Sequence, residues 1–185
     1  MQAQPTTRLN GHNATVFYGF VAGFALLWAV LTDPGLELYT KLPEELGLSM
    51  TVGVLLGTAI ALFTWLLEPH ISALRTLSES LADMIELPNV ATCWWVALLS
   101  GVVEEALYRG VMQHSFGYVV ASVIFGLSHG GLSRRWFAWS TFALIVGLAF
   151  GLVVARFGSF WPAALAHVIV NGISLTRLRR MTRRS

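Results

Sequence analysis

Cysteine is nearly absent from this chain of 185 residues: Cys93 stands alone. An intramolecular disulfide is therefore excluded. Its apolar neighbours favour packing over thiol chemistry or a metal knuckle. Charge is scarce too. Asp, Glu, Lys and Arg make up 12% of the chain, about half the share of a soluble domain. No repeat, low-complexity stretch or linker divides the sequence, so a single domain over 1–185 is expected. HExxH does not occur, so the helical zincin signature is missing. Gly126-Leu127-Ser128-His129-Gly130 spells GxSxG, but it closes an apolar helical run and does not follow a strand as a nucleophile elbow does.

What is plentiful is apolar surface. Hydrophobic residues reach 55%, with seven Trp and eleven Phe. This composition is that of an integral membrane protein, with aromatics to anchor it at the interfaces. A spanning helix needs about 20 mostly apolar residues. The sequence predicts six such segments in an all-α bundle: Ala14–Leu31, Leu48–Leu67, Val90–Met112, a short Phe116–Ser128, Phe137–Ala155 and Phe160–Leu175. The first lacks a clear cleavage site and reads as a retained span rather than a signal peptide. Between the second and third, Ile71, Leu74, Leu77, Leu81, Met84 and Ile85 recur at helical spacing. They predict an amphipathic helix lying along the interface.

The distribution of basic residues sets an orientation. Residues 176–185 form a basic tail, within a terminal stretch holding five arginines. Arg8, Arg75, Arg134 and Arg135 fall on the same side, against Lys41 and Arg156 on the other. Both termini are therefore expected in the cytoplasm. The tail reads as a topology anchor attracted to anionic lipid, and no nucleic-acid partner is expected. Four small-xxx-small pairs, Gly19/Gly23, Gly53/Gly57, Gly126/Gly130 and Gly147/Gly151, suit close helix approach in lipid.

Against this background, "SGVVEEALYRGVMQ" is costly. Glu104 and Glu105 follow about fourteen apolar or small residues of the third span. An ionised side chain at a helix centre costs about 2.5–3.5 kcal/mol on insertion scales. Arg109 is one turn after Glu105, so an ion pair is natural there. Glu104 points about 100° away and keeps no local partner. An idle, hydrated pair at the interface would be the plain reading of a single acid. The full EExxxR pattern argues for function.

Two other spans carry matching polar groups. His129 follows Phe125 by one turn, and His167 and Asn171 share a face of the last span. A carboxylate and an imidazole can activate water. A second imidazole with an amide can donate to an oxyanion. Together they offer what amide hydrolysis needs. Glu, His and His could instead hold zinc with a position open for water. Metal-free glutamate chemistry is the favoured expectation, with zinc as the alternative cofactor.

Taken in order, Glu104-Glu105-xxx-Arg109, Phe125-xxx-His129 and His167-xxx-Asn171 resemble the three motifs of the CPBP family, the CAAX prenyl proteases and bacteriocin-processing or abortive-infection-type proteins. The likeness covers roughly residues 90–175. The first two spans carry no motif. The resemblance implies an intramembrane endopeptidase. It implies that Glu104 and His129 activate the catalytic water, that His167 and Asn171 form the oxyanion hole, and that Glu105, Arg109 and Phe125 support the site. It implies a membrane-associated protein or peptide as substrate, with C-terminal anchoring tails of exported proteins as one class, and a bacterial inner-membrane location. Two other functions fit the residues. One is a non-catalytic immunity or scaffold protein of the same family. The other is a small proton-coupled transporter, for which the inverted repeats such carriers often show are missing.

Overall fold

A computed structural model describes residues 8–32, 35–43 and 45–182. Within them, eight α-helices and one π segment follow in order: α1 Gly11–Leu31, α2 Glu37–Thr40, α3 Leu46–Leu67, α4 Ser72–Met84, α5 Val90–Glu105, the π segment Ala106–Met112, α6 Gln113–Ser128, α7 Phe137–Phe157 and α8 Trp161–Thr182. The described residues form no strand; a lone bridge pairs Leu9 with Ile85. The all-α expectation holds, and each of the six predicted segments is helical. The short α2 inside the first loop was not foreseen.

Sequence sets the helix ends. The Asn10 side chain accepts from the amides of His12 and Asn13, and the Asn13 side chain answers to the Asn10 amide, which closes a capping box on α1. Asn89 caps α5 by accepting from Thr92. Gly158, at φ +66, ends α7 in the left-handed conformation that glycine takes without strain.

Four helices are long and apolar enough to cross a membrane: Gly11–Leu31, Leu46–Leu67, Val90–Ser128 and Phe137–Phe157. The expected third and fourth spans thus run on as one stretch of 39 residues. Straight, it would extend about 59 Å, twice the hydrocarbon thickness. It does not stay straight, because Gly117 breaks the helical dihedrals at φ 82, ψ 161 and α6 then packs along α7. The expected sixth span, α8, falls short on hydropathy because it carries His167, Asn171 and then arginines from Arg177 onward. Its helix runs on to Thr182, so most of the basic tail continues α8. Arg183 and Arg184 lie outside the described residues.

Helix α8 is the centre of the bundle, packed against α3, α4, α5 and α7. Small residues allow the close approach. A methyl on Gly57 would lie 2.5 Å from the Ala166 carbonyl oxygen. Gly57→Ala must therefore push α3 off α8, and a loss of about 1–3 kcal/mol is expected from such overpacking, read as earlier unfolding in detergent. Gly53, Gly126, Gly130, Gly147 and Gly151 are similarly hemmed in. Gly19 and Gly23 are not: a methyl on either meets nothing within 4 Å. That pair marks no helix contact among the described residues.

The loops group at the two ends of the bundle. At one end, Ser159 Oγ donates to the Lys41 carbonyl at 2.8 Å and Trp161 Nε1 donates to the Tyr39 carbonyl at 3.1 Å. At the other, Leu9 and Arg179 both reach the segment joining α4 to α5, and Arg177 pairs with Glu68. The amphipathic α4 lies at this second end, against α8.

Candidate active site

The junction of α5 with the π segment holds the two glutamates, and it treats them differently. Glu105, the last α5 residue, is fully buried. Arg109 Nε donates to its Oε2 at 3.1 Å. His167 Nδ1, arriving from α8, meets its Oε1 at 2.8 Å. A carboxylate only accepts, so the Nδ1 hydrogen belongs to the histidine in this pairing. Arg109 also donates through Nη1 to Ser122 Oγ at 3.2 Å, and its guanidinium lies 5.2 Å from the centre of the Phe125 ring. The expected Glu105–Arg109 pair is present, with His167 as an unforeseen third member. A π segment closes its hydrogen bonds from i to i+5 where the α-helix around it uses i to i+4, a feature frequent at functional sites.

Glu104 faces elsewhere. Tyr18 on α1 donates its hydroxyl to Oε1 at 2.7 Å. Oε2 is buried with no hydrogen-bond partner among the described residues, and His129 Nε2 stands 3.7 Å from it. His129 is oriented by its other nitrogen, since Nδ1 lies 2.8 Å from the Phe125 carbonyl oxygen. A carbonyl cannot donate, so the hydrogen sits on Nδ1 and Nε2 carries the lone pair in the neutral ring. Glu104 Oε2 and His129 Nε2 therefore present two acceptors to one small space. Both side chains retain some exposure, 14% and 17%, whereas Glu105 has none.

Phe125 joins the two groups. It is 1% exposed, and its ring lies 4.4 Å from that of His129, 5.8 Å from that of His167 and 5.0 Å from that of Tyr108. Asn171 lies one turn beyond His167 on α8. Its amide nitrogen donates to Ser100 Oγ at 2.9 Å, tying α8 to α5 a second time. The helices thus bring all seven expected residues into one interior region.

Several participants escaped the sequence reading. Tyr18 sits in a motif-free apolar span, where nothing separates it from an interface aromatic. Trp139 packs edge-on against His129 at 5.3 Å and carries no more signal. Ser100 was findable: it precedes Glu104 by one turn. Ser122 likewise precedes Phe125 by three positions, on the same helix face. Among the described residues, no three His, Cys, Asp or Glu side chains gather as a metal cage.

An all-helical bundle with long apolar helices and ionisable groups in its interior defines a polytopic membrane protein. The family model "Type II CAAX prenyl endopeptidase Rce1-like" matches residues 86–173, a stretch that holds Glu104 through Asn171 and excludes Tyr18. The match agrees with the resemblance of the three motifs to the CPBP family, and it supports an intramembrane CAAX-type protease at family level. The chain is also 26% identical over 135 residues to the uncharacterized protein YpbD of Bacillus subtilis (strain 168), covering 72% of this chain and 67% of that one. No solved structure matches it significantly.

Proposed function

We propose that the protein hydrolyses a peptide bond of a membrane-associated protein or peptide with a water activated by Glu104 and His129. One observation carries the reading: Glu104 Oε2, without a hydrogen-bond partner among the described residues, faces His129 Nε2 across 3.7 Å. A water between them donates one hydrogen to each acceptor, and its oxygen is left to attack. As the water oxygen bonds to the scissile carbonyl carbon, Glu104 takes the proton. The tetrahedral intermediate collapses with breakage of the C–N bond, and the proton passes to the leaving nitrogen. His167 and Asn171 serve the oxyanion. Glu105 holds His167 by its Nδ1–H, so the ring serves the oxyanion through Nε2–H in its doubly protonated form, with Glu105 as the counter-charge. Glu105 and Arg109 keep α5, α6 and α8 in register around the site.

The substrate class we favour is the C-terminal anchoring tail of an exported protein, presented from the bilayer. The location we favour is a bacterial inner membrane, with both termini in the cytoplasm. The reaction as drawn needs no cofactor.

Tyr18 tests the geometry. A hydrogen bond to a charged group contributes about 1.5–3 kcal/mol. Tyr18→Phe keeps the ring and loses the bond to Glu104, so kcat is expected to fall about tenfold or more with KM unchanged. The overall proposal is tested with purified protein in liposomes carrying membrane-anchored peptides. Cleavage is expected to persist under a strong zinc chelator. Loss under chelation with recovery on added zinc would replace the metal-free mechanism.

A further inference from the structure

Away from Glu104, where α1 begins and α8 ends, the surface of the bundle carries an open cleft of about 510 Å³, within the volume range of small-ligand sites. Its walls include two arginines from opposite ends of the chain, Arg8 and Arg179, and one acid, Glu86. Arg179 is fixed in place. Its Nε donates to the Leu87 carbonyl at 3.0 Å and its Nη2 to the Pro88 carbonyl at 2.7 Å. A guanidinium carries five N–H groups, so these bonds leave three in a fixed plane. Arg8 stands on a pinned strap: the neighbouring Leu9 amide donates to Met84 and its carbonyl accepts from Glu86, both at 2.8 Å. Ile85 and Leu87, each 6% exposed, supply an apolar floor.

An anchored guanidinium beside a second arginine, over apolar surface, suits a phosphate that carries an apolar body. The cleft also lies at the end of the bundle that holds Arg75, Arg177 and Arg180, where anionic headgroups would gather. We infer that this cleft binds a phosphate group, either that of an anionic phospholipid headgroup or a soluble phosphate. The site shares no residue with the candidate active site, so it stands or falls apart from the proteolytic reading.

Native mass spectrometry and thermal unfolding of the full chain in neutral detergent test it. Three probes are compared: phosphatidylglycerol, phosphatidylcholine and inorganic phosphate. Phosphatidylglycerol is expected to be retained and to raise the unfolding temperature, well above phosphatidylcholine. An arginine near a lipid surface contributes about 1 kcal/mol, so Arg8→Gln and Arg179→Gln should each weaken retention about fivefold, and together about 25-fold. Arg180→Gln, exposed and outside the cleft, should change it far less. Arg8 is exposed and makes no side-chain bond to another helix among the described residues, so Arg8→Gln reads the site even if Arg179→Gln loosens the fold. Stabilisation by inorganic phosphate equal to that by phosphatidylglycerol would support the phosphate site and assign it a soluble ligand. Equal retention of the two lipids with no stabilisation by inorganic phosphate, an unchanged response to the bound probe in Arg8→Gln, or an equal loss in Arg180→Gln would overturn the inference.

Discussion

Glu104→Gln is expected to slow cleavage by about 10²–10⁴-fold, the range a general base supplies, with little change in thermal stability. The asymmetry follows from the two oxygens. Tyr18 donates to Oε1, and a glutamine oxygen accepts that bond equally well. At the position of Oε2, glutamine places an NH₂ that cannot take a proton from water. The amide keeps the shape and removes the base. A variant that unfolds would show as a lowered unfolding temperature, and this one should not.

Arg109→Ala is expected to act mainly on stability, by about 3–5 kcal/mol, the cost of stripping the partner from a buried charge. Glu105 has no exposure and would keep only His167. The same change vacates the space beside Ser122 and Phe125. Denaturant unfolding of the purified variant measures it. Glu105→Gln combined with Arg109→Met removes both charges together. It should recover much of the loss, because neutralising both partners leaves no uncompensated charge. A double variant as unstable as Arg109→Ala would mean that the pair is not the source of the effect.

The sequence displayed some of this and hid the rest. Helices were legible because apolar runs of about 20 residues in a chain this poor in charge have no other use. The Glu105–Arg109 pair was legible because one helical turn brings the two together without any knowledge of the fold. His129, His167 and Asn171 were legible as expensive polar groups in apolar spans. The link from His167 to Glu105 was not, since it depends on how α8 lies against α5. Tyr18 was invisible for the same reason: 86 positions separate it from Glu104. Spacing likewise failed to separate Gly53/Gly57, pressed against α8, from Gly19/Gly23, which touch nothing. The π segment and the turn at Gly117 left no periodicity signal, and the turn interrupts the run of 39 residues.

The central claim is that Glu104 is the base of a proteolytic reaction in the membrane. Its most direct test compares the N- and C-termini of membrane proteins, by mass spectrometry, in cells making the native chain and in cells making Glu104→Gln at equal level. The account predicts a defined set of cleaved termini that disappears in the Glu104→Gln cells, with the uncleaved precursors accumulating in their place. Identical termini in the two strains would contradict it.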